Sequence, residues 1–333
     1  MPAERVLRWG LLGTARINRV IIPALRQSPK CALVAVASRD PSKAAAFAAQ
    51  WEIDHVVQSY AELLARPDID IVYIPLPNSQ HAEWTIRAAE AGKHVLCEKP
   101  LALSVQDVDA VAAAAQQHEV VVTEAFMYRH HPQTHEARRL IDAGAIGRVR
   151  YVRGSFTFPL TNQLNIRLDP LLGGGSLWDV GCYPVSWARA VLGREPQSVF
   201  GWATRCRSGV DEAFVGQIQF PDDVHMQFDC GFTTPFRTSM EVVGSDGVLT
   251  VERPFKPAPR GVIRVTRGED TSVYTTDEQD LYWGEVEDLV DAVLQGRQPL
   301  VTLEDSRQTI ATLVALYESS RSGHAVEVDL ELV

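Results

Sequence analysis

No apolar run in this chain reaches the roughly 18 residues that a membrane-crossing helix needs. The opening Met1-Pro2-Ala3-Glu4-Arg5 also lacks the basic-then-apolar layout of a secretory signal. The expectation is a soluble cytoplasmic protein with no membrane partner. Cysteine is scarce: the five present are irregularly spaced and form no C-x-x-C pair. That excludes a disulfide framework and a structural zinc site, and leaves thiols buried as small hydrophobes. An excess of positive charge is missing too. With 32 Lys and Arg against 42 Asp and Glu the net charge is −10, the wrong sign for general phosphate-backbone binding, so no nucleic acid is expected. No internal repeat or low-complexity linker interrupts the chain.

What is present suffices for two cores. The chain has 333 residues, 46% of them hydrophobic, and a length beyond the usual single core predicts two domains. Residues 1–125 alternate short apolar runs with stretches of helical period. Strands are expected at Val6–Leu12, Ala32–Ala37, Ile71–Pro75, His94–Cys97 and Val120–Thr123, and helices at 17–27, 42–51, 60–65, 79–91 and 104–118. This is the pattern of an α/β domain with a doubly wound parallel sheet. Residues 126–333 open with a helix near Pro132, then become strand-rich, with runs at 149–158, 214–220, 225–231, 239–243 and 247–251. Two closing helices, 280–294 and 303–320, follow. Such a segment predicts an α+β domain with a large, mostly antiparallel open sheet. The stretch Pro254–Arg260 reads as an exposed loop.

A dinucleotide site needs a glycine-rich turn between the first strand and helix, so that pyrophosphate can approach backbone N–H groups at a helix N-terminus. Here that turn is Gly10-Leu11-Leu12-Gly13-Thr14-Ala15-Arg16-Ile17-Asn18, with Ala15 and Asn18 in the second and third glycine places of G-x-G-x-x-G. Cofactor contacts are therefore expected from Gly13, Thr14, Ala15, Arg16 and Ile17. At the end of the second strand an NAD site offers a carboxylate to the ribose; this chain offers Ser38-Arg39-Asp40-Pro41-Ser42-Lys43. Asp40 suits a helix cap, while Ser38, Arg39 and Lys43 suit a 2′-phosphate. NADP is the expected cofactor, with NAD as the alternative.

Two further segments carry the chemistry. Pro75-Leu76-Pro77-Asn78-Ser79-Gln80-His81 and Cys97-Glu98-Lys99-Pro100-Leu101 each follow a strand, so both fall at the carboxyl edge of the sheet, where such folds bind ligands. Leu76, Pro77, Asn78, His81, Glu98 and Lys99 are expected at the cofactor. Some 80 residues on, Gly173-Gly174-Gly175-Ser176-Leu177-Trp178-Asp179-Val180-Gly181-Cys182-Tyr183 leads into an apparent helix. The four-residue spacing puts Asp179 and Tyr183 on one helical face, and the crowded glycines suggest close approach by a ligand. Tyrosine ordinarily ionises near about pH 10, and a nearby ammonium stabilises its phenolate. Lys99 is either that cation or a direct contact of the reacting hydroxyl. Lys99, Tyr183 and Asp179 are the candidate catalytic set.

With these residues in view, the chain resembles the family containing glucose-fructose oxidoreductase, inositol dehydrogenase and the rhizopine catabolism proteins (Gfo/Idh/MocA). Matching segments are Trp9–Ile17, Val34–Arg39, Tyr73–His81, His94–Leu101, Glu124–Gln133, Ala145–Gly147 and Gly173–Tyr183. Many members carry histidine in place of Tyr183; tyrosine is similar to the branch of dimeric dihydrodiol dehydrogenase, NADP-dependent D-xylose dehydrogenase and nucleotide-sugar 3-ketoreductases. The resemblance implies NAD(P)-dependent oxidation or reduction of sugars and related polyols, with the lysine and tyrosine as acid/base groups. It also implies a cis bond before Pro100 and homodimers or homotetramers built through the C-terminal sheet. Within Phe126-Met127-Tyr128-Arg129-His130-His131-Pro132 it puts Arg129 at the cofactor and Tyr128 and His130 at the sugar. Arg153, Arg167 and Trp178 are assigned to the substrate pocket by proximity to these segments.

His131 and His135 share i,i+4 spacing without an evident third ligand, so no metal is expected and they read as surface histidines at a helix start. Two other classes remain open: a noncatalytic NADP-binding sensor, and the NAD-dependent glycoside hydrolases of the same superfamily.

Overall fold

The computed structural model describes residues 5–162 and 164–330. The chain forms two compact units, one made of residues up to 127 together with Tyr282–Ser306, the other of Tyr128–Leu281 together with residues 307 onward.

In the first unit, strands β1 (Leu7–Leu12), β2 (Cys31–Ala37), β3 (His55–Val57), β4 (Ile71–Ile74), β5 (His94–Glu98) and β6 (Val122–Ala125) pair in the order β3-β2-β1-β4-β5-β6. All pairs are parallel. Parallel strands covered on both faces must be apolar throughout, and β4, Ile-Val-Tyr-Ile, is buried at every position. The intervening helices are α1 (Asn18–Gln27), α2 (Pro41–Gln50), α3 (Tyr60–Leu64), α4 (His81–Glu90) and α5 (Val105–Gln117). Side chains start three of them, α2, α3 and α5. Asp40 accepts from the Ser42 and Lys43 amides, Ser59 from that of Glu62 and Ser104 from that of Asp107, each satisfying N–H groups that a helix end leaves without partners. The sequence pattern omits β3, three residues long and mostly exposed, because so short an edge strand carries no periodicity.

In the second unit the order of elements is α6 (Pro132–Asp142), β7 (Val149–Thr157), α7 (Cys182–Leu192), β8 (Ser198–Arg205), β9 (Asp211–Phe220), β10 (Val224–Gly231), β11 (Arg237–Gly244), β12 (Val248–Glu252), β13 (Arg260–Arg267) and β14 (Asp270–Glu278). After α8 (Trp283–Gln295) and α9 (Leu303–Ser322) comes β15 (Val326–Glu327), which pairs with β8. The sheet runs β14-β13-β12-β11-β7-β10-β9-β8-β15, antiparallel except between β7 and β10. Strands alternate: from Phe214 to Phe220 in β9 and from Val224 to Cys230 in β10 every second residue is buried. Phe214, Ile218, Met226 and Phe228 point into the core, and Gln217, Gln219, His225 and Gln227 point out.

Three expectations are corrected. The second domain does not own everything after residue 126. Helix α8 belongs to the first unit, where Val286, Leu289 and Val290 join Ile21, Ile22 and Leu25 in one core cluster, and Lys30 reaches Glu287 and Asp291 at 3.0 and 2.7 Å. His131 is fully buried rather than on the surface; its Nδ1 accepts from the Gln133 amide and caps α6. The loop 254–260 exposes its charges but plants Phe255, fully buried, among aromatic rings. The peptide bond before Pro100 is cis. Among the cysteines, Cys97, Cys182 and Cys230 are buried and Cys31 and Cys206 half-buried, all as free thiols. No helix among the described residues is long and apolar enough to cross a membrane.

Candidate active site

The first unit presents four loops at the carboxyl ends of its strands. After β1 the chain turns at Gly13, whose φ of +114° suits glycine. Gly13 donates to the Ala37 carbonyl at 2.8 Å and accepts from Asn18 Nδ2 at 2.8 Å. The side chain in the third glycine place thus closes the turn from inside, a signal that glycine counting misses. Thr14, Ala15, Arg16 and Ile17 lead into α1, whose first turn contains no acidic residue and no side-chain cap. Such a helix end has N–H groups to offer an anion.

After β2, Ser38 is buried and Arg39 exposed. Asp40 is occupied by the cap, and its backbone bonds with Lys43 and Ser42 hold its pKa below the usual carboxylate range. Lys43 Nζ lies 3.6 Å from the same carboxylate. Tyr60, absent from the sequence expectations, belongs here. Its hydroxyl would meet a Cβ on Gly13 at 3.6 Å. Burial raises its pKa, and the charge of the nearby Arg39 guanidinium lowers it in part. Trp84 packs edge-on against the Tyr60 ring at 5.0 Å.

After β4, Leu76 sits beside Gly13, 3.5 Å from where its Cβ would be, and Pro77 leads into a single turn at Asn78–Gln80. The sequence places His81 on the cofactor; in the structure it is buried, with Nδ1 2.7 Å from the Pro100 carbonyl and Nε2 2.7 Å from that of Leu76. Its ring ties the Leu76 turn to the Lys99–Pro100 turn. Burial lowers its pKa, and the charge of Lys99 adds to that.

After β5, Glu98 accepts from the Tyr73 hydroxyl at 2.6 Å, and Glu124 accepts from the Leu101 amide at 2.9 Å. Both contacts brace the turn that carries half-buried Lys99. Glu285 of α8 is fully buried, neither carboxyl oxygen has a hydrogen-bond partner among the described residues, and burial followed by the charge of Glu98 pushes its pKa well above the usual range. Nothing in the sequence Trp283-Gly284-Glu285-Val286-Glu287 separates this acid from Glu287, which is half-buried and pairs with Lys30.

In the second unit the glycine cluster opens a π-helical segment, Leu177–Gly181, which passes directly into α7. The sequence expectation of one helix is right in place and wrong in pitch. Asp179 and Tyr183 both lie here, with Asp179 taking Arg167 Nε at 2.6 Å. The Arg167 guanidinium also lies over Phe158, 5.8 Å from the ring centre. Tyr183 is packed edge-on by Phe156 at 5.1 Å and tilted against Phe255 and Tyr128 at 5.5 and 5.6 Å. Trp178 packs at a tilt against Tyr317.

Tyr128, Arg129 and His130 are buried. Tyr128, expected at the sugar, donates its hydroxyl to the Tyr183 carbonyl at 3.3 Å. Arg129 donates to Ser186 Oγ of α7 at 3.1 Å, and the His130 carbonyl accepts from Gln279 at 3.0 Å. Arg153 is corrected as well. It pairs with Glu241 on the exposed face of the sheet, whereas its neighbour Val152 is buried on the other. Phe156 and Phe255 were missed because their partners are remote in sequence. Among the described residues no group of three His, Cys, Asp or Glu could hold a metal ion.

Family models match both parts of the chain. Residues 7–126 match an oxidoreductase family with an NAD-binding Rossmann fold, and residues 134–250 match the GFO/IDH/MocA C-terminal domain. The chain is 40% identical to D-xylose 1-dehydrogenase (NADP(+)) 2 of Haloferax volcanii, over 97% of this chain and 100% of that protein. A crystal structure of a 3-ketoreductase from Actinomadura kijaniata in complex with NADP and TDP-benzene superimposes with a TM-score of 0.91 at 32% identity, covering 95% of this chain and 98% of that one. An aldose-aldose oxidoreductase from Caulobacter crescentus complexed with glycerol gives a TM-score of 0.90 at 28% identity, covering 97% and 100%.

Proposed function

The chain belongs to the Gfo/Idh/MocA family of oxidoreductases, and on that premise we propose that it exchanges a hydride between NADP(H) and a carbinol or carbonyl carbon of a sugar or sugar derivative. The observation that carries this reading is Lys99, one residue beyond β5 at the carboxyl edge of a β3-β2-β1-β4-β5-β6 sheet, where such sheets bind dinucleotides. The Gly13 turn, the acid-free start of α1, and Arg39 beside Tyr60 fit a pyrophosphate and a 2′-phosphate; NAD is the second choice. When bound, the nicotinamide supplies the hydride acceptor or donor, and the protein supplies the rest.

In the oxidative direction the carbinol O–H proton passes to Tyr183 as the C–H electron pair leaves. The Lys99 ammonium steadies the phenolate and polarises the same oxygen. Asp179, fixed by Arg167, orients the substrate through its hydroxyls. The substrate class is supported by the relatives, whose names specify D-xylose, an aldose and a 3-ketoreductase. We further assign the exposed face of the nine-stranded sheet to self-association.

The test is a screen of free aldoses, nucleotide-linked ketosugars and dihydrodiols by NADP(H) absorbance. With the substrate found, Lys99→Met and Tyr183→Phe should each lower kcat by ~100-fold or more, the usual scale of acid/base catalysis, while NADPH binding persists. Undiminished turnover in both variants overturns these roles.

A further inference from the structure

The glycines at 173–175 invite a ligand as their explanation, yet protein atoms occupy the space. A Cβ on Gly175, which has φ +135°, would lie 2.4 Å from Asp211 Oδ1 and 2.7 Å from the Tyr317 hydroxyl. On Gly174 it would lie 2.6 Å from the Arg167 carbonyl oxygen. What crowds the first of these turns is a buried carboxylate and its phenol partner.

Asp211, the first residue of β9, is 1% exposed. Its Oδ2 accepts from Ser176 Oγ and from the Leu177 amide, each at 2.7 Å, and its Oδ1 accepts from the Tyr317 hydroxyl at 2.7 Å. Burial pushes its pKa up and these three donors oppose the rise. Tyr317, on α9, then lays its ring on Trp178, with centroids 5.1 Å apart. Together the two residues hold Ser176, Leu177 and Trp178, the three positions immediately before Asp179. Beyond them the Asp179 amide donates to the Gly175 carbonyl at 3.0 Å, and the Gly175 amide donates to the Arg167 carbonyl at 2.9 Å. The residue whose carboxylate takes Arg167 Nε is thereby tied to the same loop twice. A π turn is a rare geometry that a helix does not choose unaided, so something outside it must hold it. The buried, charge-assisted anchor at Asp211 supplies that hold.

We infer that Asp211 and Tyr317 are a positioning pair which fixes the π-helical turn Leu177–Gly181, and through it the directions of the Asp179 and Tyr183 side chains. Neither residue touches substrate in this scheme. The inference rests on the proposed function for its kinetic readout alone.

Three variants separate positioning from bulk stability. Tyr317→Phe keeps the ring on Trp178 and removes one hydrogen bond; Asp211→Ala removes all three; Asp211→Asn retains an acceptor for Ser176 and Leu177. Tyr317→Phe and Asp211→Ala should lower kcat roughly 10- to 100-fold, the scale of a small misplacement of catalytic groups. NADPH affinity should stay unchanged, and Asp211→Asn should recover most of the loss. Amide hydrogen exchange should quicken in residues 176–183 and remain as in the wild type elsewhere. Wild-type exchange in that segment in both damaging variants overturns the inference, as does acceleration spread evenly over the second unit. Exchange needs no substrate, so it decides the matter even if the wild type transfers no hydride, an outcome that would instead sink the proposed function.

Discussion

Arg39 and Asp40 show how much one residue's prior engagement decides about its neighbour. Asp40 sits where an NAD site would offer a carboxylate to the ribose, but its oxygen accepts from the Ser42 and Lys43 amides. A carboxylate so engaged has less capacity for a ribose diol, and the exposed guanidinium beside it favours the dianionic 2′-phosphate. That division was legible because Asp-Pro-Ser is a helix-start signature. Tyr60 was not, since its partners Arg39 and Gly13 meet it only in the folded chain. Arg39→Ala should raise the Kd for NADPH roughly 10- to 100-fold, the value of one or two charge-assisted hydrogen bonds, and leave NADH affinity as it was. Fluorescence titration of both cofactors checks this; equal loss for the two would remove Arg39 from the phosphate site.

At the level of elements, legibility followed periodicity. The alternation of β9 and β10 and the apolar run of β4 are visible as patterns, and their strands lie where the patterns put them. The π pitch of Leu177–Gly181 was hidden, because Asp211 and Tyr317 impose it from 34 and more residues away. The nine-stranded sheet shows what alternation leaves over. Its core side carries Val152, Ile218, Met226 and Phe228, while the other presents Tyr151, Phe200, Trp202 and Val215 among Arg153, Gln217 and Gln227. Trp202 pairs with Val215 across β8 and β9 and both are exposed, at 56% and 47%. Apolar side chains gathered on one open sheet face, rimmed by polar ones, suit association rather than water. Under the assignment of this face to self-association, Trp202→Glu with Val215→Lys should shift the protein from a dimer or larger species to a monomer on size exclusion with its melting temperature read alongside. An unchanged elution volume would move the interface elsewhere.

On the scale of the whole molecule the least legible feature is that the first unit is discontinuous. The chain leaves it after residue 127 and returns at Tyr282, yet composition does not change at 282, and an amphipathic helix does not announce which core it will join. Once folded, the reason is plain. Val286, Leu289 and Val290 are fully buried against a cluster containing Ile21, Ile22 and Leu25. Each such side chain contributes about 1.5–3 kcal/mol, so together they match a large part of the roughly 5–15 kcal/mol that keeps a domain folded. A fragment of residues 1–127 should therefore lack a cooperative melt by near-UV circular dichroism and bind NADPH poorly, although it contains every residue of the first unit proposed to hold the cofactor. The same fragment joined through a flexible Gly/Ser linker to residues 282–306 should regain both the transition and the binding. If residues 1–127 alone melt cooperatively and bind NADPH as the full chain does, α8 is a covering on that core rather than part of it.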